Sequence, residues 1–263
     1  MISHTVRQKV DIEMRELIYG RNAVYECLRA KRREVYKLIV SEGAQEKGVL
    51  AHSLQIAKER HVAVQRVPRA QLDKISQGHQ GVAAEVSGYP YLALDDFVAS
   101  HQTPLFLVLD LIQDPQNLGT LLRTAEAVGV SGVIIAEDRA AGVTPAVVNT
   151  SSGATEHLPV ARVTNIARTL EKLKESNVWV IGVEDAPGAQ DYTAVDLRGA
   201  LAIVVGSEGQ GIRRLVRETC DILVKLPMLG KITSLNAAVA GSIVLYETLR
   251  QRRMVDKLPS WPA

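Results

Sequence analysis

The sequence predicts an α/β protein in two parts, a small front α/β unit and a larger domain built on a parallel sheet buried on both faces. Three observations predict it. Apolar runs without internal alternation, LFLVLDL (105–111), GVIIAE (132–137), VWVIGVE (178–184) and LAIVV (201–205), recur with helical stretches between them. A strand that is apolar at every position is one covered by helices on both sides. On a smaller scale, strand-like and helix-like stretches alternate from residue 19 to 86. Between the two parts, residues 88–104 carry two prolines, three tyrosine or phenylalanine residues and an acidic pair, with no periodicity.

In chain order the front unit reads as a helix at 22–30, a strand at 35–40, a helix at 45–60, a strand at 62–67, a short helix after Pro68 and a strand at 82–86. The expected boundaries are an N-terminal extension (1–16), a substrate-binding domain (17–90), a linker (91–104), the sheet domain (105–253) and a tail (254–263) with two prolines and Trp261. The last helix, 235–253, ends in a basic run. Alternation alone points to a Rossmann-like, doubly wound sheet, since knotted chains are nearly absent from proteins.

Composition narrows the function. Cys27 and Cys220 lie far apart without metal-ligand spacing, so neither a disulfide framework nor a metal site is expected, and a reducing, cytoplasmic setting is. Residues 1–16 hold no signal-peptide apolar block, and no later run is long and apolar enough to span a bilayer. Net charge is +2, but it is unevenly spread. Residues 15–90 hold thirteen Lys or Arg against eight Asp or Glu, whereas 91–263 hold sixteen against nineteen. A basic front unit suits a polyanion, although an excess of five also fits an ordinary solvated surface.

Three turns concentrate the polar chemistry. DPQNLGTLLRTAEAVG (114–129) follows an apolar strand and opens a helix. With Asn117 as its cap, Leu118, Leu121, Leu122 and Ala125 share one face and Arg123 points away from them. VVGSEGQG (204–211) runs a strand into three glycines. It lacks the ordered dinucleotide fingerprint, and Glu208 argues against a phosphate-bearing cofactor while suiting a cationic group such as a sulfonium. A tight turn with no ligand explains these glycines nearly as well. LPMLGKITSLNAAVA (226–240) sets Ser234 before the last helix as its expected N-cap, with Asn236 beside it.

Taken jointly, N-x-G-x-x-x-R-T-A (117–125), G-x-E-G-x-G (206–211) and P-M-x-G with S-L-N (227–236) resemble the SpoU (TrmH) family of RNA ribose methyltransferases. YGRNAVYECL (19–28) and HQGVAAEV (79–86) are similar to that family's substrate-binding domain, and the combination is most similar to its members that methylate a guanosine ribose of large-subunit ribosomal RNA. The resemblance implies a SPOUT-type trefoil-knotted sheet domain instead of a Rossmann order, a homodimer formed through it, and S-adenosyl-L-methionine as methyl donor. It implies main-chain contacts to the donor from Gly206, Leu226 and Leu235, with Met228 as apolar wall. Arg123, Asn117, Glu208, Ser234 and Asn236 match its polar site positions.

In that reading Asn117 and Asn236 orient Arg123 and the ribose, Glu208 fixes Arg123 or the donor, and Ser234 anchors the helix start. Arg123 is either the base or a charged stabiliser of the ribose oxyanion. Arginine's pKa, above about 12, favours the second role at least as much. Arg21, Arg29, Lys31, Arg32, Arg33 and Lys37 are the expected RNA contacts, through phosphates more than bases. Ser151, Ser152 and His157, in NTSSGATEHLPVARV (149–163), are read as shaping a turn into a strand, without chemistry. A different RNA target, or a non-catalytic RNA-binding protein on the same fold, stays open from sequence alone.

Overall fold

A computed structural model describes residues 15–98 and 102–256. The expected N-terminal extension up to residue 14, and the tail from 257 with Trp261, lie outside the described residues. The chain divides into two compact units, Met1–Pro90 with Val143–His157, and Tyr91–Gly142 with Leu158–Ala263.

The first unit carries a four-stranded sheet in the order β1-β4-β2-β3. Its strands are β1 (Arg15–Tyr19), β2 (Val35–Ser41), β3 (Ala63–Val67) and β4 (Val82–Ser87). β4 runs antiparallel to β1 and β2, while β3 is parallel to β2. Helix α1 (Arg21–Ala30) buries Ala23, Val24, Cys27 and Leu28, one face at helical spacing. Helix α2 (Val49–Glu59) starts four residues later than the sequence suggests, and α3 (Arg69–Asp73) follows Pro68 as expected. β1 overlaps the end of the expected extension, and its pairing with β4 makes it part of the sheet.

Residues 143–157, assigned from sequence to the sheet domain, pack with the first unit. They form α6 (Pro145–Thr150) and a 3₁₀ turn (Ala154–Glu156). Polar groups fasten them: the Asn149 amide donates to the Tyr19 carbonyl at 3.0 Å, the Tyr89 hydroxyl to the Thr155 carbonyl at 2.8 Å, and His157 meets Glu26 at 2.7 Å. Tyr89, expected in or beside a loose linker, is buried.

The second unit is a seven-stranded sheet in the order β7-β6-β5-β10-β8-β11-β9, parallel at every pairing. Its strands are β5 (Leu105–Asp110), β6 (Gly132–Ala136), β7 (Val160–Val163), β8 (Trp179–Val183), β9 (Gln190–Asp191), β10 (Leu201–Gly206) and β11 (Ile222–Lys225). The order departs from a simple doubly wound sheet. β8 is laid one place away from β5, and the later β10 fills the slot between them.

Every residue of β5, β6 and β10 is buried, which is why these segments read as unbroken apolar runs. Phe106, Val108 and Val204 pack with Ile166, Leu170 and Leu173 of α7 (Ile166–Glu175) and Val216 of α8 (Arg214–Thr219). Strand residues alternate faces, so Val205 belongs to the opposite one. There it meets Gly241 of α9 (Ala237–Asp256), where a Cβ would lie 2.7 Å from Leu121 of α5 (Pro115–Ala127) and 2.9 Å from Val205. The short α4 (Leu94–Val98) occupies the expected linker.

Candidate active site

Because the strands are parallel, their carboxyl ends share one edge, and the loops leaving β5, β8, β10 and β11 converge there. After β5 the chain turns through Leu111 at φ +61°, a left-handed conformation that costs a leucine about 1–2 kcal/mol. Helix α5 then begins, with Asp114 as its cap: the side chain accepts from the Gln116 amide at 3.1 Å. Asn117 is therefore not the cap expected from sequence. Pro115 takes the first helical position, where its fixed φ and missing N–H cost nothing, which moves the start three residues earlier. Asn117 is instead 7% exposed in the first turn. Leu118, Leu121, Leu122 and Ala125 share the buried face as expected.

After β10 the chain doubles back between Ser207 and Gly211, which exchange backbone hydrogen bonds of 3.1 and 3.0 Å. This close return makes Gly206 obligatory, since a Cβ there would lie 2.2 Å from the Gly211 carbonyl carbon. The Ile212 amide donates to Glu184 Oε1 at 3.1 Å, and Arg217 donates to the other Glu184 oxygen at 3.3 Å. The fully buried Asp110 accepts from the backbone amide and Nε of Arg213, each at 2.8 Å. Asp110, Glu184 and Arg213 were missed in the sequence, although a carboxylate ending an apolar parallel strand falls at the ligand edge and is a usable signal.

Helix α9 corrects a second cap. Asn236, not Ser234, holds its start, with Oδ1 accepting from the Ala238 and Val239 amides at 2.9 and 3.2 Å. That commitment turns Nδ2 outward, where it donates to Asn117 Oδ1 at 2.9 Å and to Glu208 Oε1. One amide thus links the three turns.

A cavity of about 650 Å³ opens here. Gly206, Leu226, Met228 and Leu235 line it, as do Glu208, Ser234 and Asn236. Its lining also includes Glu184, paired with Arg217 at 3.3 Å, and Asp185, 3.8 Å from Lys225. A smaller cavity of about 250 Å³, lined in part by Asn117, adjoins it through Ser207, Glu208 and Gln210. Arg123 is brought to neither wall; it stands exposed further along α5. Among the described residues no cluster suits a metal ion, and no helix is long and apolar enough to cross a membrane.

The expected RNA contacts of the first unit separate on folding. Arg29 and Lys31 are exposed. Arg21 is half-buried and donates to the Gln80 carbonyl, Lys37 pairs with Glu85 at 3.5 Å, and Arg32 reaches the Glu156 and Pro90 carbonyls. Arg33 is a correction: its side chain is wholly buried, donating to Glu156 at 3.3 Å, to the Ser87 carbonyl at 2.9 Å and to Glu16. Burial raises the Glu156 carboxyl pKa, and the Arg33 charge opposes the rise.

A wholly parallel sheet with adjoining cavities at its carboxyl edge defines an α/β protein that binds its ligand where the strand order switches. The family described as "SpoU rRNA Methylase family" matches residues 104–246, and "RNA 2'-O ribose methyltransferase substrate binding" matches 17–92. A Bacillus subtilis protein named "Putative TrmH family tRNA/rRNA methyltransferase YacO" is 46% identical over 250 residues, covering 93% of this chain and 99% of that one. Among solved structures, one titled as an RNA 2'-O ribose methyltransferase is 29% identical with a TM-score of 0.75, over 95% of this chain and 92% of its own. AviRb, a SpoU methyltransferase from Streptomyces viridochromogenes crystallised with AdoMet, has the same fold at 23% identity, with a TM-score of 0.77 over 96% of this chain and 100% of its own. The chain belongs to the SpoU/TrmH family of RNA methyltransferases.

Proposed function

We propose that the protein transfers a methyl group from S-adenosyl-L-methionine to a ribose 2′-hydroxyl of RNA, at a guanosine of large-subunit (23S) ribosomal RNA. In this reading it works in the cytoplasm as a homodimer formed through the second unit, whose chain path is a deep trefoil. Exposed Val239 and Tyr246 on α9 support an apolar dimer face, and the late insertion of β10 between β5 and β8 is compatible with a threaded path.

The observation that carries the reading is the Asn117–Asn236–Glu208 group between two adjoining cavities. The larger cavity suits this donor chemically. Glu184 is paired with Arg217 and Asp185 lies 3.8 Å from Lys225, so Glu208 carries the excess negative charge, which favours a ligand with a sulfonium group and disfavours a polyphosphate. When bound, the donor supplies an activated methyl carbon on a positively charged sulfur. Gly206, Leu226 and Leu235 would hold it through main-chain groups, with Met228 against its apolar part.

The ribose hydroxyl is a weak nucleophile at neutral pH, so the remaining task is to position it and stabilise the negative charge that develops on its oxygen. A permanently charged Arg123, reaching the bound RNA from the exposed side of α5, serves that stabilisation. Asn117 orients the acceptor through its Nδ2, and Asn236, held by Glu208, fixes Asn117 in place.

Arg123→Ala should abolish methyl transfer from labelled donor to ribosomal RNA while calorimetric donor affinity stays unchanged. Near wild-type transfer by that variant would remove Arg123 from the mechanism. Mapping ribose methylation in RNA from cells lacking the gene should reveal one missing methyl-guanosine in 23S RNA. A loss confined to transfer RNA would reject the target.

A further inference from the structure

The smaller cavity lies between the turn that opens α5 and the loop after β10. Asn117, 7% exposed, lines it and gives Oδ1 to Asn236, leaving Nδ2 without a hydrogen-bond partner among the described residues. Nδ2 opens to the cavity and is not sealed in the core, so a ligand seated there would meet it. Leu111 and Ile112 supply apolar wall, and Gln113, Asp114, Glu208 and Gln210 supply polar ends. The left-handed Leu111 is an independent sign, because backbone held in such a conformation gathers at ligand sites.

We propose that this second cavity receives the base of the nucleotide to be methylated, and that Asp114 selects guanine. The proposal rests on the methyl-transfer reading above and adds the acceptor side to it. Transfer requires donor and acceptor on opposite sides of the travelling carbon, so the acceptor nucleoside must sit against the donor cavity. The second cavity shares Ser207, Glu208 and Gln210 with it.

Size agrees. Pockets that enclose a whole ligand run to roughly 300–1,000 Å³, whereas about 250 Å³ suits one ring system with its sugar and phosphate outside.

The base identity follows from donor and acceptor matching. Guanine presents two adjacent donors, N1–H and the 2-amino group, on its Watson–Crick edge. Uracil, cytosine and adenine each present a donor next to an acceptor. A carboxylate offers acceptors only, and so fits guanine's pair. Of the two carboxylates on the wall, Glu208 is committed to Asn236, and Gln113 donates to the Arg139 carbonyl. Asp114 is exposed and held in place by capping α5 through Oδ1, and a carboxylate retains further acceptor sites.

The test uses Asp114→Asn, which keeps the cap because Asn and Asp cap alike, but replaces one acceptor oxygen by a donor. Asp114→Ser, also a capping residue, serves if that variant fails to fold. The readout is kcat/KM for the full-length protein on RNA carrying guanosine, or inosine without the 2-amino group, at the methylated position. The wild type should prefer guanosine by about 10- to 100-fold. The variant should lose that preference through a fall on guanosine RNA, with inosine RNA changed by no more than about twofold and donor affinity unaltered. Equal discrimination by both proteins would overturn the proposal and leave methyl transfer standing, as would a methyl mapped to any other base. Absence of transfer by the wild type to any ribosomal RNA would overturn the function, and the proposal with it.

Discussion

The Arg33 guanidinium is buried, with its charge met by Glu16 and Glu156 and other N–H groups by the Ser87 carbonyl. Removing one member of such a pair strands the other charge without water, at about 3–5 kcal/mol. Arg33→Ala should therefore lower urea stability by about that amount. Arg29→Ala, at an exposed residue whose ion pair with Glu26 spans 3.5 Å, should change it by less than about 0.5 kcal/mol. Equal stabilities for the two variants would refute the structural role given to Arg33. Lys31, Arg32 and Arg33 form one basic run, and nothing local distinguishes them. Arg33 is drawn inward by Glu156, 123 residues away, so a run of charge in the sequence announces a surface without saying which member leaves it. The polar trio shows the converse. Asn117, Glu208 and Asn236 were legible by residue type, but their mutual hydrogen bonds depend on cap positions that periodicity alone placed wrongly.

The two helix starts failed for related reasons. Ser and Asn are comparable caps, so S-L-N leaves the choice between Ser234 and Asn236 to the packing of α9. In α5 the deciding feature was Pro115, a usable signal beside the more conspicuous Asn117. The body of α9 carries its own electrostatic prediction. Glu247 is largely buried, and Arg250 donates to both its oxygens at 2.7 Å, joined by Gln251 at 2.8 Å. The Arg250 hydrogen bond holds the Glu247 carboxyl below its ordinary value of 4.5. A carboxyl with a lowered folded pKa contributes stability above its unfolded pKa and loses it as pH falls through the folded value. Glu247→Gln should thus be less stable than the wild type near pH 7, by roughly 1 kcal/mol or less. The gap in urea midpoint should narrow as pH falls below about 4.5. A gap that widened on acidification would contradict the sign.

At the scale of the molecule, the strands of the second unit were legible because burial on both faces leaves an unmistakable run of apolar residues, whereas their order was not. Periodicity reports what each strand is covered by and carries no record of which strand lies beside it, so β10 between β5 and β8 could come only from resemblance or structure. The assignment of residues 143–157 to the first unit was hidden likewise, being decided by distant partners such as Tyr19, Glu26 and Arg33. The charge partition between front and rear survives folding in reduced form. Of the six basic residues first expected to meet RNA, Arg29 and Lys31 are exposed, and Arg33 is withdrawn altogether. Each lysine or arginine that meets a phosphate releases a counterion and steepens the fall of log K with log salt by about 0.7–0.9. Replacing Arg29 and Lys31 together by alanine should therefore flatten the salt dependence of ribosomal RNA binding by up to about 2 in slope, with donor affinity unaffected. If the double variant bound RNA with the wild-type slope, the end of α1 would not be a phosphate-contacting surface, and the basic excess of the front unit would be ordinary solvated charge.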